Sequence, residues 1–210
     1  MASDGLDREL FVTIGATAAF DELLSAVLDP DFQNVATELN FTKMRIQCGK
    51  SLEKCKSIIS AQPSKLDFNV FDFRPQGLNN EMRATTALPG KRHAGVVITH
   101  AGAGTVLDAM RLGCHIIVVP NESLLDNHQG EMADELQKQG YVTKGRTSSV
   151  QSTLAALGSA LSLSQALRRC VAQIPSQSAN YTWPPPGAGN VTEIVDEMVL
   201  REEAMHRRLD

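Results

Sequence analysis

Residues 95–140 read GVVITHAGAGTVLDAMRLGCHIIVVPNESLLDNHQGEMADELQKQG, and the order of elements in this stretch decides the fold. Gly95 to Thr99 is a short β-branched apolar run, the length of a buried strand. His100-Ala101-Gly102-Ala103-Gly104 follows at once, small enough for phosphates or a ribose to approach the backbone. Thr105 is the expected cap of a helix carrying Val106, Ala109, Met110 and Leu112, which Gly113 stops. Cys114 to Pro120 repeats the buried-strand pattern. A polar loop, Asn121 to Gln129, then leads into an amphipathic helix with Met132, Ala133 and Leu136 on one face, closed by Gly140. Strand, glycine loop, helix, strand, polar loop and helix make half of a doubly wound sheet. Such sheets bind ligands beyond the carboxyl ends of their strands.

Upstream, Leu10 to Ile14 reads as a first strand, broken by Gly15-Ala16-Thr17 and continued by a helix over Phe20 to Leu28, which Pro30 ends. Asn34 to Leu39 looks helical, Lys43 to Gln47 is a second strand, and Lys54 to Ala61 another short helix. Leu66 to Phe73 alternates enough to be a third strand. The alternation of strands and helices argues for a parallel sheet with right-handed crossovers. Arg74 to His93 turns polar and reads as a solvated crossover with room for one short helix over Asn80 to Leu88. Downstream, Tyr141 to Thr143 is a short strand, and Ser148 to Ala172 has leucines at helix-compatible spacing. Residues 1–175 are thus expected to form one domain. Residues 176–210 are an appendage: a Pro-rich connector around Trp183 to Gly189, then a helix from Thr192 to Leu209 with an apolar stripe.

The chain has 210 residues and a formal net charge of −4. That charge and the few aromatics exclude a nucleic-acid footprint. No apolar run approaches the roughly 18 residues needed to span a bilayer. The acidic start MASDGLDREL has no apolar h-region, and Cys48, Cys55, Cys114 and Cys170 form no C-x-x-C pair. A cytoplasmic chain with reduced core thiols is expected.

Three stretches can carry chemistry. Gly15-Ala16-Thr17 places a strand end before a helix, where free N–H groups favour an anion; a tight turn needing small residues explains it equally. In the second, Gly102, Ala103 and Gly104 allow close approach, and Asp108 lies one turn beyond Thr105, where a carboxylate can accept from a ribose diol. Asp108 reads equally as a solvated helix residue, and His100 as an ordinary strand-end polar group. The third is Asp126-Asn127-His128-Gln129, whose amides and imidazole can read a sugar from several sides; a loop with a cap is the alternative. A dinucleotide fingerprint would want glycine where Leu107 stands, and the histidines fall on different elements without a Cys partner, so no metal site is expected.

With these motifs in place, VITHAGAGTVLDAMRLG and IIVVPNESLLDNHQGEMADELQKQGYV resemble glycosyltransferase family twenty-eight, as do FVTIGATAAFDELLSAVL and WPPPGAGNVTEIVDEMV. Within it the likeness is to catalytic subunits of two-chain eukaryotic enzymes that add the second N-acetylglucosamine to dolichol-linked oligosaccharide. The resemblance implies a Rossmann-like parallel sheet flanked by helices, the donor-binding half of a two-domain GT-B type transferase. It implies Gly15, Ala16 and Thr17 at the donor diphosphate and Gly102, Ala103, Gly104 and Thr105 on the nucleotide. Asp108 falls at the ribose, where relatives usually carry Glu, and Asn127, His128 and Gln129 fall at the sugar.

It further implies transfer from UDP-N-acetylglucosamine to dolichyl-diphospho-N-acetylglucosamine, β1,4 and inverting, in a heterodimer at the cytosolic face of the endoplasmic reticulum. A chain of this length has no second half to bind the acceptor, so a membrane-anchored subunit is expected to supply it. No Asp-x-Asp metal motif occurs, so no obligatory metal or cofactor is expected, and His100 and His128 are the candidates for general base. Two other readings stay open: a catalytically idle sugar-nucleotide-binding subunit, and an NAD-binding dehydrogenase domain with Glu122 as its acid.

Overall fold

A computed structural model describes residues 5–15, 19–121, 128–147 and 161–174. Among the described residues seven strands form one sheet in the order β3-β2-β1-β4-β5-β6-β7. They are β1 (Glu9–Thr13), β2 (Lys43–Gln47), β3 (Asp67–Phe71), β4 (Val96–His100), β5 (Ile116–Val119), β6 (Thr143–Arg146) and β7 (Leu161–Ser162). Every neighbouring pair is parallel. The central strands are β-branched and buried on both sides, as a parallel sheet with helices on both faces demands.

Strand periodicity divides the core in two. Leu10, Val12, Val96, Ile98, Ile117 and Val119 face one apolar cluster, which α1 (Asp21–Leu28), α2 (Pro30–Glu38), α3 (Leu52–Ala61) and α7 (Leu163–Gln173) cover. Phe11, Val97, Ile116 and Val118 face the other, covered by α4 (Asn79–Ala84), α5 (Ala103–Arg111) and α6 (His128–Lys138). The expected α/β class is therefore borne out. The four cysteines are free and buried. Among the described residues no helix is long and apolar enough to cross a membrane.

Several local expectations are corrected. Pro30 does not merely end α1: it opens α2 at the first helical position, where its missing N–H costs nothing and Asp29 Oδ1 accepts from the Asp31 N–H at 2.9 Å. Thr105 is not the cap of α5; Gly102 holds that position and the helix starts at Ala103. The strand expected at Tyr141 begins at Thr143, after buried Tyr141 and Val142. Within the leucine-spaced segment, Leu161–Ser162 pairs as β7 before α7 starts, with Ser162 and Gln165 forming a capping box. The crossover is less solvated than its composition implies. Met82 of α4 is 1% exposed and packs on the face that holds Phe11 and Phe71. The connector and the terminal helix expected after residue 176 lie outside the described residues.

Candidate functional site

The strand order reverses between β1 and β4: from β1 the chain winds outward to β2 and β3, then crosses back to β4 and runs on to β5. A crossover of this kind opens a crevice at the carboxyl ends of the two central strands, the general ligand position of doubly wound sheets. Glycine loops leave both strands there.

A row of buried polar residues forms the floor. Gln47, Thr13 and Thr99 lie side by side across β2, β1 and β4. The Thr13 hydroxyl donates to Gln47 Oε1 and accepts from the Gly15 N–H at 3.2 Å. The Thr99 hydroxyl donates to the His100 carbonyl at 3.0 Å. Thr13, held by Gln47, thus ties down the first turn of the loop after β1, and Thr99 holds the last residue of β4. They are polar residues at or next to the carboxyl ends of three adjacent strands, a signal in the sequence that the motifs do not use.

The His100 ring stands between the two glycine loops. A Cβ on Gly15 would lie 2.3 Å from His100 Cε1, and one on Gly102 would lie 2.2 Å from Nε2. Both distances are below any tolerable contact. Gly15 also has φ +77°, a conformation that side chains with a Cβ rarely take. The two glycines are therefore required by an imidazole, where the motif suggested room for a ligand. Burial depresses the His100 pKa to about 4, so the ring is neutral at pH 7.

Gly104 is different. It sits exposed in the first turn of α5, with nothing within 4 Å of where its Cβ would be. Gly102 caps that helix without any side-chain hydrogen bond. The amino end of α5 thus offers backbone N–H groups and the positive dipole end to the crevice. Thr105 lies in the same turn, partly buried. Asp108 is one turn on, half-exposed, and paired with Arg111 at 3.3 Å.

The third stretch meets the same edge through Gln129, the second residue of α6. Its Oε1 accepts from the Asn121 N–H at 3.0 Å, and Asn121 Nδ2 donates to the Ala19 carbonyl at 3.4 Å. Asn121, just beyond β5, is 5% exposed. It joins the loop after β1 to the start of α6, residues far apart in the chain. Ala16, Thr17, Asn127 and the His128 side chain lie outside the described residues. Of the expected site residues, Gly15, His100, Gly102, Ala103, Gly104, Thr105 and Gln129 share the carboxyl edge of β1, β4 and β5. Among the described residues no group of three or more His, Cys, Asp or Glu is placed to hold a metal.

The profile of the glycosyltransferase family 28 C-terminal domain matches residues 9–180. The chain belongs to this family. A relative in Yarrowia lipolytica, the UDP-N-acetylglucosamine transferase subunit ALG13, is 36% identical over 143 residues, 67% of this chain and 67% of its own length. An NMR solution structure of ALG13 superposes with a TM-score of 0.53 at 27% identity, covering 75% of this chain and 89% of that one. Acinetobacter baumannii MurG superposes with a TM-score of 0.50 at 17% identity over 95% of this chain and 51% of its own, a likeness of fold. The family 28 resemblance in the sequence and its half-transferase fold of GT-B type are thus borne out.

Proposed function

We propose that this chain is the donor-binding subunit of a UDP-N-acetylglucosamine-dependent transferase. It adds the second N-acetylglucosamine, β1,4, to a dolichol-linked acceptor in N-glycan precursor synthesis. The observation that carries this reading is the shared edge at the β1–β4 crossover. There the Gly15 loop, the first turn of α5 with no side-chain hydrogen bond at its cap, and Gln129 of α6 converge. Main-chain donors in that arrangement suit a diphosphate, and an amide beside them suits a sugar. The names of the relatives support the choice of donor.

The mechanism that fits these groups is direct displacement with inversion at the anomeric carbon. Charge developing on the UDP leaving group is met by the N–H groups of the loops and of α5, without an obligatory metal. Asp108 is assigned to the ribose, which requires its side chain to leave Arg111 or share with it. His100, neutral and wedged between glycines, suits a spacer or neutral donor better than a base. The base is then His128 or a group on the acceptor-binding subunit, which we take to be membrane-anchored on the endoplasmic reticulum.

A transfer assay on dolichol-linked acceptor, with and without membranes carrying the partner subunit, tests the whole reading. Transfer only with both components, insensitive to EDTA, is expected. Loss of transfer on chelation with restoration by manganese would overturn the metal-free step. UDP-N-acetylglucosamine binding without transfer under any condition would favour an idle sugar-nucleotide-binding subunit.

A further inference from the structure

Gln129 reads the sugar, in the function proposed above, only if the first turn of α6 is held still, and that turn is gripped from below by a residue of β6. Lys144 extends under α6 with its side chain 14% exposed. Its ammonium donates to Asp134 Oδ1 at 2.7 Å and to the Gly130 carbonyl at 3.4 Å. Its own N–H donates to Gln137 Oε1 at 2.8 Å, one further turn along the same helix. From the other side, the Asn121 N–H holds Gln129 directly. A lysine beside a helix amino end opposes the helix dipole, so packing alone gives no reason for it there. Gripping the Gly130 carbonyl of that turn together with the Asp134 carboxylate of the next turn does.

We infer that Lys144 is a positioning residue for donor-sugar recognition. With Asn121 it forms a brace that clamps the start of α6 between β5 and β6 and sets the position of the Gln129 amide. The inference rests on the proposed sugar-reading role of Gln129, but the brace itself has a separate readout. Asn121 also donates to the Ala19 carbonyl in the loop after β1, whereas the contacts of Lys144 run to α6, so Lys144 is the half of the brace that separates sugar from nucleotide. Loss of that half should therefore weaken recognition of the sugar and spare recognition of UDP.

The test uses the full chain, titrated calorimetrically with UDP and with UDP-N-acetylglucosamine, in wild type, Lys144→Met, Lys144→Arg and Asp134→Asn forms. Lys144→Met keeps the apolar stem and removes the charge. It should bind UDP-N-acetylglucosamine about tenfold more weakly while UDP affinity changes by less than about twofold. Lys144→Arg should restore part of the difference, and Asp134→Asn should lose part of it. In parallel, hydrogen exchange at the amides of residues 132–136 should quicken by about tenfold in Lys144→Met, with or without ligand. Equal weakening for both ligands would make Lys144 a structural residue and overturn the inference, as would exchange rates equal to wild type. A wild-type chain with no preference for the sugar nucleotide over UDP would overturn the role given to Gln129, while the exchange rates would still decide the brace.

Discussion

At the edge where its strands begin, the sheet is held by paired charges; where β1, β4 and β5 end, it offers small residues and amides. On the first edge the Arg8 guanidinium donates to the Ala94 and Leu39 carbonyls at 2.8 and 2.9 Å and lies over the Phe41 ring at 5.0 Å. Lys43 meets Asp7 at 2.6 Å, and Arg45 meets Glu9 at 3.0 Å. On the second edge, Gly15 and Gly102 flank a neutral imidazole, and Gly104 stands open in the first turn of α5. A closed edge stabilises the fold. An open one leaves its hydrogen-bonding groups to a ligand. The difference separates substitutions that unfold the chain from those that cost it only its donor.

One condition acts on both edges. His100 on the open edge and His115 on the closed one are each held near pKa 4, by burial in both cases and also by Arg8 for His115. Their folded pKa values lie below the ordinary value of 6.5, so the unfolded chain takes up protons first as pH falls. Stability contributed by the neutral rings is complete above about pH 6.5 and is lost down to about pH 4, on the order of 3 kcal/mol for each ring. Denaturant melts across that window should show the loss. His115→Asn should remove about half of the slope, and an unchanged slope would contradict the burial of its charge.

Gly102→Ala comes next. Its methyl would meet the His100 ring, so about 3 kcal/mol of strain or loop displacement is expected. Calorimetry should show UDP affinity falling at least as far as stability. A variant that binds UDP normally would show that the two glycine loops need no fixed separation. Arg8→Met is the counterpart on the closed edge. It leaves two carbonyls short of a donor and should cost about 2 kcal/mol in denaturant unfolding, with UDP-N-acetylglucosamine affinity unchanged in the folded fraction. Weakened binding in that variant would break the separation of the edges. The smallest effect belongs to Asp108→Asn. Its pair with Arg111 is exposed, so stability should move by less than about 0.5 kcal/mol, while UDP binding weakens by about 1 kcal/mol. Uridine diphosphate bound as tightly as by wild type would remove Asp108 from the ribose.

The sequence made the open edge easier to read than the closed one. Buried parallel strands announce themselves as unbroken apolar runs, and Val96 to Ile98 with Ile116 to Val119 are such runs. Glycine loops between them are local signals too. Helix starts were less legible, because glycine at position 102 caps without a side chain and Thr105 looked like the better cap. Leu161–Ser162 is too short to have a period, and only pairing with Gly145 and Arg146 makes it a strand. The contacts that organise the site were invisible for a different reason. Gln47 with Thr13, Asn121 with Ala19, and Lys144 with Asp134 join residues from separate elements, and no local pattern marks them. His100 was legible as a residue of interest, but its place between Gly15 and Gly102 depends on the register of β1 against β4.

The central claim is that the donor nucleotide-sugar binds at the β1–β4 crossover. Backbone NMR of the full chain titrated with UDP-N-acetylglucosamine tests it most directly. Saturable shifts centred on the amides of Gly15, Gly102, Gly104 and Gln129 are predicted, with Arg8, Lys43 and His115 unmoved and NAD without effect. Shifts centred on the charged edge, or saturable binding of NAD at the same glycines, would contradict it.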